Sequence, residues 1–325
     1  MGQDKPDHAS GDELELDDVT EPTGQSGATS QPSGPPPMRG VSELTRGILE
    51  DLAGRHQQFK EDGWVGGLRC GFKVIDEDLR GLRPRSLNVL NAGPNIGKST
   101  LSNQIAYGVA TYPDQRVGVL YATFENEPDD FVRKHIARLS GWSVNELEAG
   151  EIPPTDAKVQ QAALRLGSVP LYYVYGNARL TPDVLISYIQ QIQQEAGVTY
   201  TLLILDYLQG YSRFAKGAND LEKIAATLSE LRRIAEATGA ALLVIGSQNR
   251  ETNKGGGPTM FGGRGTGDIE YDADTILVLS KSEEEKTGES DTEYRYLHAV
   301  KTRFGGAGAT AKLLFMPGYA NFSEF

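Results

Sequence analysis

Residues Asn91–Thr100 read NAGPNIGKST, and the reading of this stretch decides the fold. Ala92, Gly97, Lys98 and Ser99 satisfy the pattern A/G-x-x-x-x-G-K-S/T, directly after the apolar run LNVL and directly before a segment with helical spacing. A strand, a glycine-bearing loop and a helix in that order form a cradle for phosphates. The loop Ala92, Gly93, Pro94, Asn95, Ile96 and Gly97 and the first helical turn at Lys98, Ser99 and Thr100 aim backbone N–H groups at the anion. Lys98 then reaches the β- and γ-phosphates, and the Ser99 hydroxyl coordinates Mg²⁺, so ATP with Mg²⁺ is the expected ligand. Ala92 stands where many such loops have glycine, and the pattern permits either.

Working outward, strand-sized runs alternate with helical patterns. The predicted strands are Ser86–Asn91, Val117–Phe124, Leu171–Val174, Leu202–Asp206, Ala241–Ser247, Thr275–Leu279, Arg295–Lys301 and Lys312–Met316. The predicted helices are Thr100–Thr111, Asp129–Ser140, Asp156–Leu166, Pro182–Ala196 and Leu221–Thr238. Several strands are apolar on both faces, as a buried parallel sheet requires. The expected fold is α/β: a doubly wound, mostly parallel sheet with helices on both faces, finished by a C-terminal antiparallel hairpin. EEEKTGESDTE, from Glu283 to Glu293, reads as an exposed turn.

Residues 63–325 would form this domain. Residues 1–40 form an acidic, then Pro/Gly/Ser-rich tail with almost no large apolar residues, which predicts disorder. Between them, residues 41–62 carry Val41, Leu44, Ile48 and Leu52 at three- and four-residue spacing, a linker helix with one apolar stripe. That stripe could pack on its own domain, which the sequence favours slightly, or on a neighbouring subunit.

The longest apolar runs are strand-sized, so no membrane span is expected, and the N-terminus has no signal-peptide pattern, which suits a cytoplasmic protein. One cysteine, Cys70, excludes an intramolecular disulfide and a cysteine-cluster zinc site, and reads as a small, partly buried residue. The net charge of −12 argues at first against nucleic acid. Residues 1–37, however, hold eight acids against Lys5, a balance of −7 that leaves only −5 for residues 38–325. A protein that encloses a strand needs local positive charge, and a basic average is not required.

Other residues fit triphosphate chemistry. Asp206 ends the strand LLILD, where a carboxylate meets the Mg²⁺ shell beside Ser99. Glu125, at the end of VGVLYATFE, could reach the γ-phosphate, whereas Glu127, Asp129 and Asp130 fit the start of the next helix better. Gln248, in GSQNR, ends a third strand where an amide could sense the γ-phosphate.

Taken in order, these motifs resemble the C-terminal ATPase domain of DnaB-type replicative DNA helicases, a branch of the RecA-like P-loop NTPases. The likeness covers residues 63–325 and rests on NAGPNIGKST, on LLILDYLQG, on SQ-N-R, and on G-x-I-E-x-D-A-D in GDIEYDAD. It implies that Lys98 and Ser99 are the phosphate-loop pair, Glu125 the water-activating acid, Asp206 the Walker B acid and Gln248 the sensing amide. It further implies that Lys301 and Arg303, in KTRFGG, enter the next subunit's site. Arg264, Gly265 and Gly267 would face a pore and hold single-stranded DNA by its backbone, with Arg250 and Lys254 in the same Gly-rich loop; Arg213 and Lys216 are lesser candidates.

The implied protein is a homo-oligomeric ring, a hexamer, that translocates on single-stranded DNA and unwinds duplex during replication. It would be bacterial or phage-encoded, with a primase or a helicase loader as further partners. In place of the helical N-terminal domain usual in such proteins stand only the tail and the Val41 helix, so the collar that receives primase is not expected. Arg85 replaces a usual glycine and Gly265 a usual acid, which predicts an altered DNA grip. The alternative is a RecA- or KaiC-like, DNA-stimulated ATPase that acts as a recombination mediator or scaffold without unwinding.

Overall fold

Residues 38, 40–62, 66–247, 266–281 and 292–325 are those described by the computed structural model. The chain divides into Met1–Gly54 and Arg55–Phe325. Within the first, the described residues begin helix α1 (Val41–Asp62), where Val41, Leu44, Ile48 and Leu52 are all exposed. The tail before residue 38 lies outside the described residues.

In the second unit the apolar runs pair into one sheet. Its strands are β1 (Leu87–Ala92), β2 (Val117–Thr123), β3 (Leu171–Tyr175), β4 (Tyr200–Asp206), β5 (Ala241–Ser247), β6 (Thr275–Ser280), β7 (Glu293–Thr302), β8 (Thr310–Met316) and β9 (Asn321–Glu324). Their order is β3-β2-β4-β5-β1-β6-β7-β8-β9. Pairing is parallel from β3 to β6 and antiparallel from β6 to β9. β1, β2, β4 and β5 are buried along almost their whole length because helices cover both faces.

One face is covered by α2 (Lys98–Thr111) and α3 (Pro128–Ser140), through Leu101, Ile105, Val109 and Phe131. The other is covered by α6 (Pro182–Glu195) and α8 (Asp220–Thr238), through Leu185, Ile189, Leu228 and Leu231. Cys70 is fully buried, and that burial pushes its thiol well up from the usual range. Its carbonyl packs on Gly108 of α2 so closely that a Cβ there would sit 2.0 Å away.

The predicted elements differ from the observed ones mainly at short pieces. α4 (Val144–Glu148), α5 (Ala157–Gly167), α7 (Leu208–Ser212) and α9 (Thr266–Asp272) complete the helices, and of these only α5 is long enough to show a 3.6-residue period. The C-terminal hairpin is a three-strand extension, because β9 pairs with β8 and is clamped to α2 by the Gln104 side chain, which bonds both Phe322 N and Phe322 O at 2.8 Å. Glu293 is not in a turn but in β7; residues 282–291 lie outside the described residues.

Candidate nucleotide site

Parallel strands put their carboxyl ends on one edge, and four adjacent ones converge here. Across β2, β4, β5 and β1, that edge carries the turn with Glu125, then Asp206, then the chain leaving Ser247, then the loop of Gly93–Gly97. Ala92 pairs with Ser247 and Thr123 with Asp206, while Asp206 pairs with Ile245, so β2 and β4 end two residues before β5 and β1 on the same side of the sheet. Gln248, the next residue in sequence, lies outside the described residues.

The loop's shape is imposed on it. Asn95 and Gly97 both have positive φ, 60° and 103°. A Cβ at Gly97 would meet the Phe322 ring at 2.9 Å and the Phe315 ring at 3.2 Å, so only glycine fits. α2 starts at Lys98, and its first free N–H groups face the end of the loop.

Asp206 is completely buried. Its Oδ2 accepts a 2.8 Å hydrogen bond from the Tyr121 hydroxyl, which also lies 2.8 Å from Ser102 Oγ on α2. Within hydrogen-bond geometry no donor reaches Oδ1, although the Ser99 hydroxyl beside the carboxylate draws its pKa down. Burial outweighs this, with nearby Glu125 adding to it, and the pKa is raised despite Ser99, Tyr121 and Lys98. A buried carboxylate oxygen without a donor, next to a hydroxyl and an ammonium, suits a hard cation. No group of three His, Cys, Asp or Glu among the described residues could hold a metal alone.

Glu125 is exposed, in the turn between β2 and α3. Thr123 shapes that turn: its hydroxyl donates to Asn126 O at 2.7 Å and accepts from Asn126 N at 3.2 Å. Phe124 N bonds Asp206 O at 2.7 Å, which ties the turn to β4. Glu127 is the N-cap of α3, and Asp129 and Asp130 occupy its first turn, as their spacing predicts.

Lys301 and Arg303 are not at this edge. Lys301 pairs with Ile276 and Thr302 with Thr275, at the amino end of β6, which runs parallel to β1. Through β6, Lys301 is level with Val89 and Thr302 with Asn88, so Lys301 and Arg303 lie three and about five residues back from Ala92, roughly 10 and 16 Å along the strands at 3.3 Å per residue. There they cap the C-terminus of α9. Lys301 Nζ donates to Glu270 O, and Arg303 Nη2 donates to Tyr271 O at 2.6 Å. Arg303 Nη1 also donates to Asp274 Oδ1 at 3.1 Å, and Arg232 to Asp274 Oδ2 at 2.6 Å.

Of the candidate DNA residues, Arg250, Lys254, Arg264 and Gly265 lie outside the described residues, while Gly267 is in the first turn of α9. Arg213 donates to the Tyr207 hydroxyl at 3.2 Å, and Lys216 is exposed. Arg85 is at the amino end of β1, the edge opposite the exit of β5. Its φ is +61°, a left-handed backbone shape that glycine adopts more readily than arginine. Sequence reasoning missed Tyr121, Thr123 and Asp274. A hydroxyl in the middle of the buried run VLYAT was the available signal for the first two.

This arrangement defines a P-loop nucleotide-binding domain of the RecA-like class. The chain belongs to the DnaB-like helicase family: the profile described as "DnaB-like helicase C terminal domain" matches residues 67–324. It is 26% identical over 270 residues to the replicative DNA helicase DnaB of Geobacillus stearothermophilus, covering 80% of this chain and 57% of that one. It is also 26% identical over 223 residues to a probable plasmid replicative DNA helicase of Chlamydia psittaci, covering 68% and 48%. The chain thus spans about half to three fifths of the length of these relatives.

Among solved structures, the ATPase domain of the protein named G40P superposes with a TM-score of 0.73 at 18% identity, covering 89% of this chain and all of that one. A DnaB-like replicative helicase, described with its interactions with primase, superposes at 0.70 and 19% identity, covering 87% and 70%. At such identities the superpositions speak for the fold. No helix among the described residues is long and apolar enough to cross a membrane.

Proposed function

We propose that this chain is the ATP-driven motor of a ring-shaped, hexameric DNA helicase that translocates on single-stranded DNA and unwinds duplex in replication. Ala92–Thr100 cradle the phosphates, with Lys98 on the β- and γ-phosphates and Ser99 and Asp206 on Mg²⁺. Mg²⁺ held by Ser99 and Asp206 would supply positive charge to offset that developing on the phosphates. Glu125 orients the attacking water and accepts its proton as the water oxygen bonds the γ-phosphorus and the bond to the bridging oxygen breaks. Gln248 senses the γ-phosphate. Lys301 and Arg303 of the next subunit stabilise charge on the transferring group. Arg250, Lys254, Arg264, Gly265 and Gly267 hold the strand by its phosphates.

One observation carries this reading. The cradle, Asp206 and Glu125 share one edge of the sheet, while Lys301 and Arg303 lie roughly 10 and 16 Å back from it along the strands, two strands over from β1, and are turned to the end of α9 and to Asp274. This supports a site completed by a second copy of the chain.

The test mixes two inactive variants. Lys98→Ala and Arg303→Ala should each lose single-strand-stimulated ATP hydrolysis and unwinding of a 5′- or 3′-tailed fork, and mixing them should restore hydrolysis at interfaces that combine an intact cradle with an intact arginine. Recovery of nothing on mixing, or full activity of Arg303→Ala alone, rejects the shared site. Hydrolysis on single strands without strand separation would favour the mediator reading. A primase or a loader, if either is a partner, would be captured by the nucleotide-bound ring.

A further inference from the structure

The interior holds a second cationic group, and the nucleotide chemistry above gives it no role. Arg295 points inward from β7, in register with Leu297 and Ala299, and its side chain is 2% exposed. Taking a guanidinium out of water is costly unless its donors are well placed. Here each of its three nitrogens has a target. Nη2 donates to Glu293 Oε2 at 2.8 Å, Nη1 to Tyr294 O at 3.0 Å, and Nε to the carbonyl of Ile96 at 2.9 Å. The plane lies 5.1 Å from the Phe315 ring, which stacks on Phe322 at 4.3 Å; these are the two rings that close over Gly97.

The contact with Ile96 matters because of where it falls. In a planar trans peptide the C=O and the following N–H point in opposite directions. Fixing the Ile96 carbonyl toward β7 therefore turns the Gly97 N–H away from β7 and toward the cradle. The loop around it contains two residues at positive φ and does not hold such a shape by local preference.

We propose that Arg295 is a positioning residue for the phosphate loop, holding the Ile96–Gly97 peptide so that its N–H is aimed at a bound triphosphate before the nucleotide arrives. This rests on the reading of the loop as an ATP site. The same ten-residue strand carries Lys301 at its far end, so the support for one subunit's cradle and the cation offered to the next are joined by a single β-strand.

The test measures equilibrium binding of a fluorescent, non-hydrolysable ATP analogue with Mg²⁺ to the full chain, alongside thermal unfolding without nucleotide. Arg295→Met should bind the analogue about tenfold more weakly, the size of one lost charge-assisted hold, with little change in unfolding midpoint. Arg295→Gln, whose amide can still donate to Ile96 O, should recover most of the affinity without the charge. Ile189→Val, a mild core change on the opposite face of the sheet, should lower the midpoint and leave affinity intact. Wild-type affinity in Arg295→Met, or a glutamine variant as weak as the methionine one, overturns the proposal. If Arg295→Met does not fold, Glu293→Gln at its half-exposed position must weaken binding two- to threefold at an unchanged midpoint, and unchanged affinity overturns the proposal. A wild-type chain that binds no analogue fails the nucleotide reading itself, and the positioning role falls with it.

Discussion

Asp206 and Asp274 are buried aspartates at opposite edges of one sheet, 0% and 5% exposed, and they are treated in opposite ways. Asp274 precedes β6 and is satisfied from three directions: Leu87 N at 2.8 Å, Arg232 at 2.6 Å and Arg303 at 3.1 Å. Asp206 ends β4 with one oxygen held by Tyr121 and the other without a donor in hydrogen-bond geometry. Burial costs both groups hydration. At Asp274 the protein returns that cost in ion pairs and a backbone bond that pin β1, α8 and β7 together. At Asp206 the cost is left standing, and a fold keeps such a group where something other than stability needs it.

The largest expected effect comes from the satisfied aspartate. Asp274→Ala should lower unfolding free energy by about 3 kcal/mol in a urea titration, the low end for a broken buried pair because Arg232 keeps 27% of its side chain in solvent. A loss below about 1 kcal/mol would show that the three contacts do not act together and would erase the contrast. Tyr121→Phe comes next. It strips the remaining donor from Asp206 Oδ2 and should cost about 1–2 kcal/mol, measured the same way.

Asp206→Asn should run in the other direction. The acid's pKa is raised in the fold, so the folded state holds its proton more tightly than the unfolded chain does. Its unfavourable contribution is absent below the unfolded value, near 3.9, and grows as pH rises through the higher folded value. The asparagine variant without nucleotide should therefore match the wild type in acid and exceed it at neutral pH, while Mg²⁺-dependent hydrolysis is lost. Equal stability at both pH values would mean that Asp206 carries no stored cost. The smallest change lies at the amino edge again: Arg85→Gly relieves a left-handed residue and should add about 0.5 kcal/mol. A loss of stability there would mean that the Arg85 side chain contributes more than its backbone costs.

The carboxyl edge was largely legible from residues alone, because its chemistry is written in short local patterns. NAGPNIGKST announces its strand, loop and helix, and LLILD carries its acid at the strand's last position. The core strands were equally legible, since parallel strands covered on both faces leave long apolar runs. The amino edge was not. Asp274 meets Leu87 across 187 positions and Arg232 across 42, and no spacing in the sequence signals either contact. Arg295 did leave a trace, since it occupies the inward register of a strand that alternates Arg295, Leu297 and Ala299 inward with Tyr296 and His298 outward. β9 left none, because a four-residue strand exists only through its neighbour β8 and the side chain of Gln104.

The sequence by itself therefore determined the class of fold, the cradle and the place of Asp206 at the end of its strand, because each depends on residues adjacent in the chain or on one strand's periodicity. Only the tertiary structure decided that Lys301 and Arg303 lie back from that cradle beside the end of α9, that Asp206 keeps an oxygen without a donor in hydrogen-bond geometry, and that a buried guanidinium holds Ile96. Those facts depend on which strands pair and in what register, and register is set by the packing of the whole sheet rather than by any stretch of it.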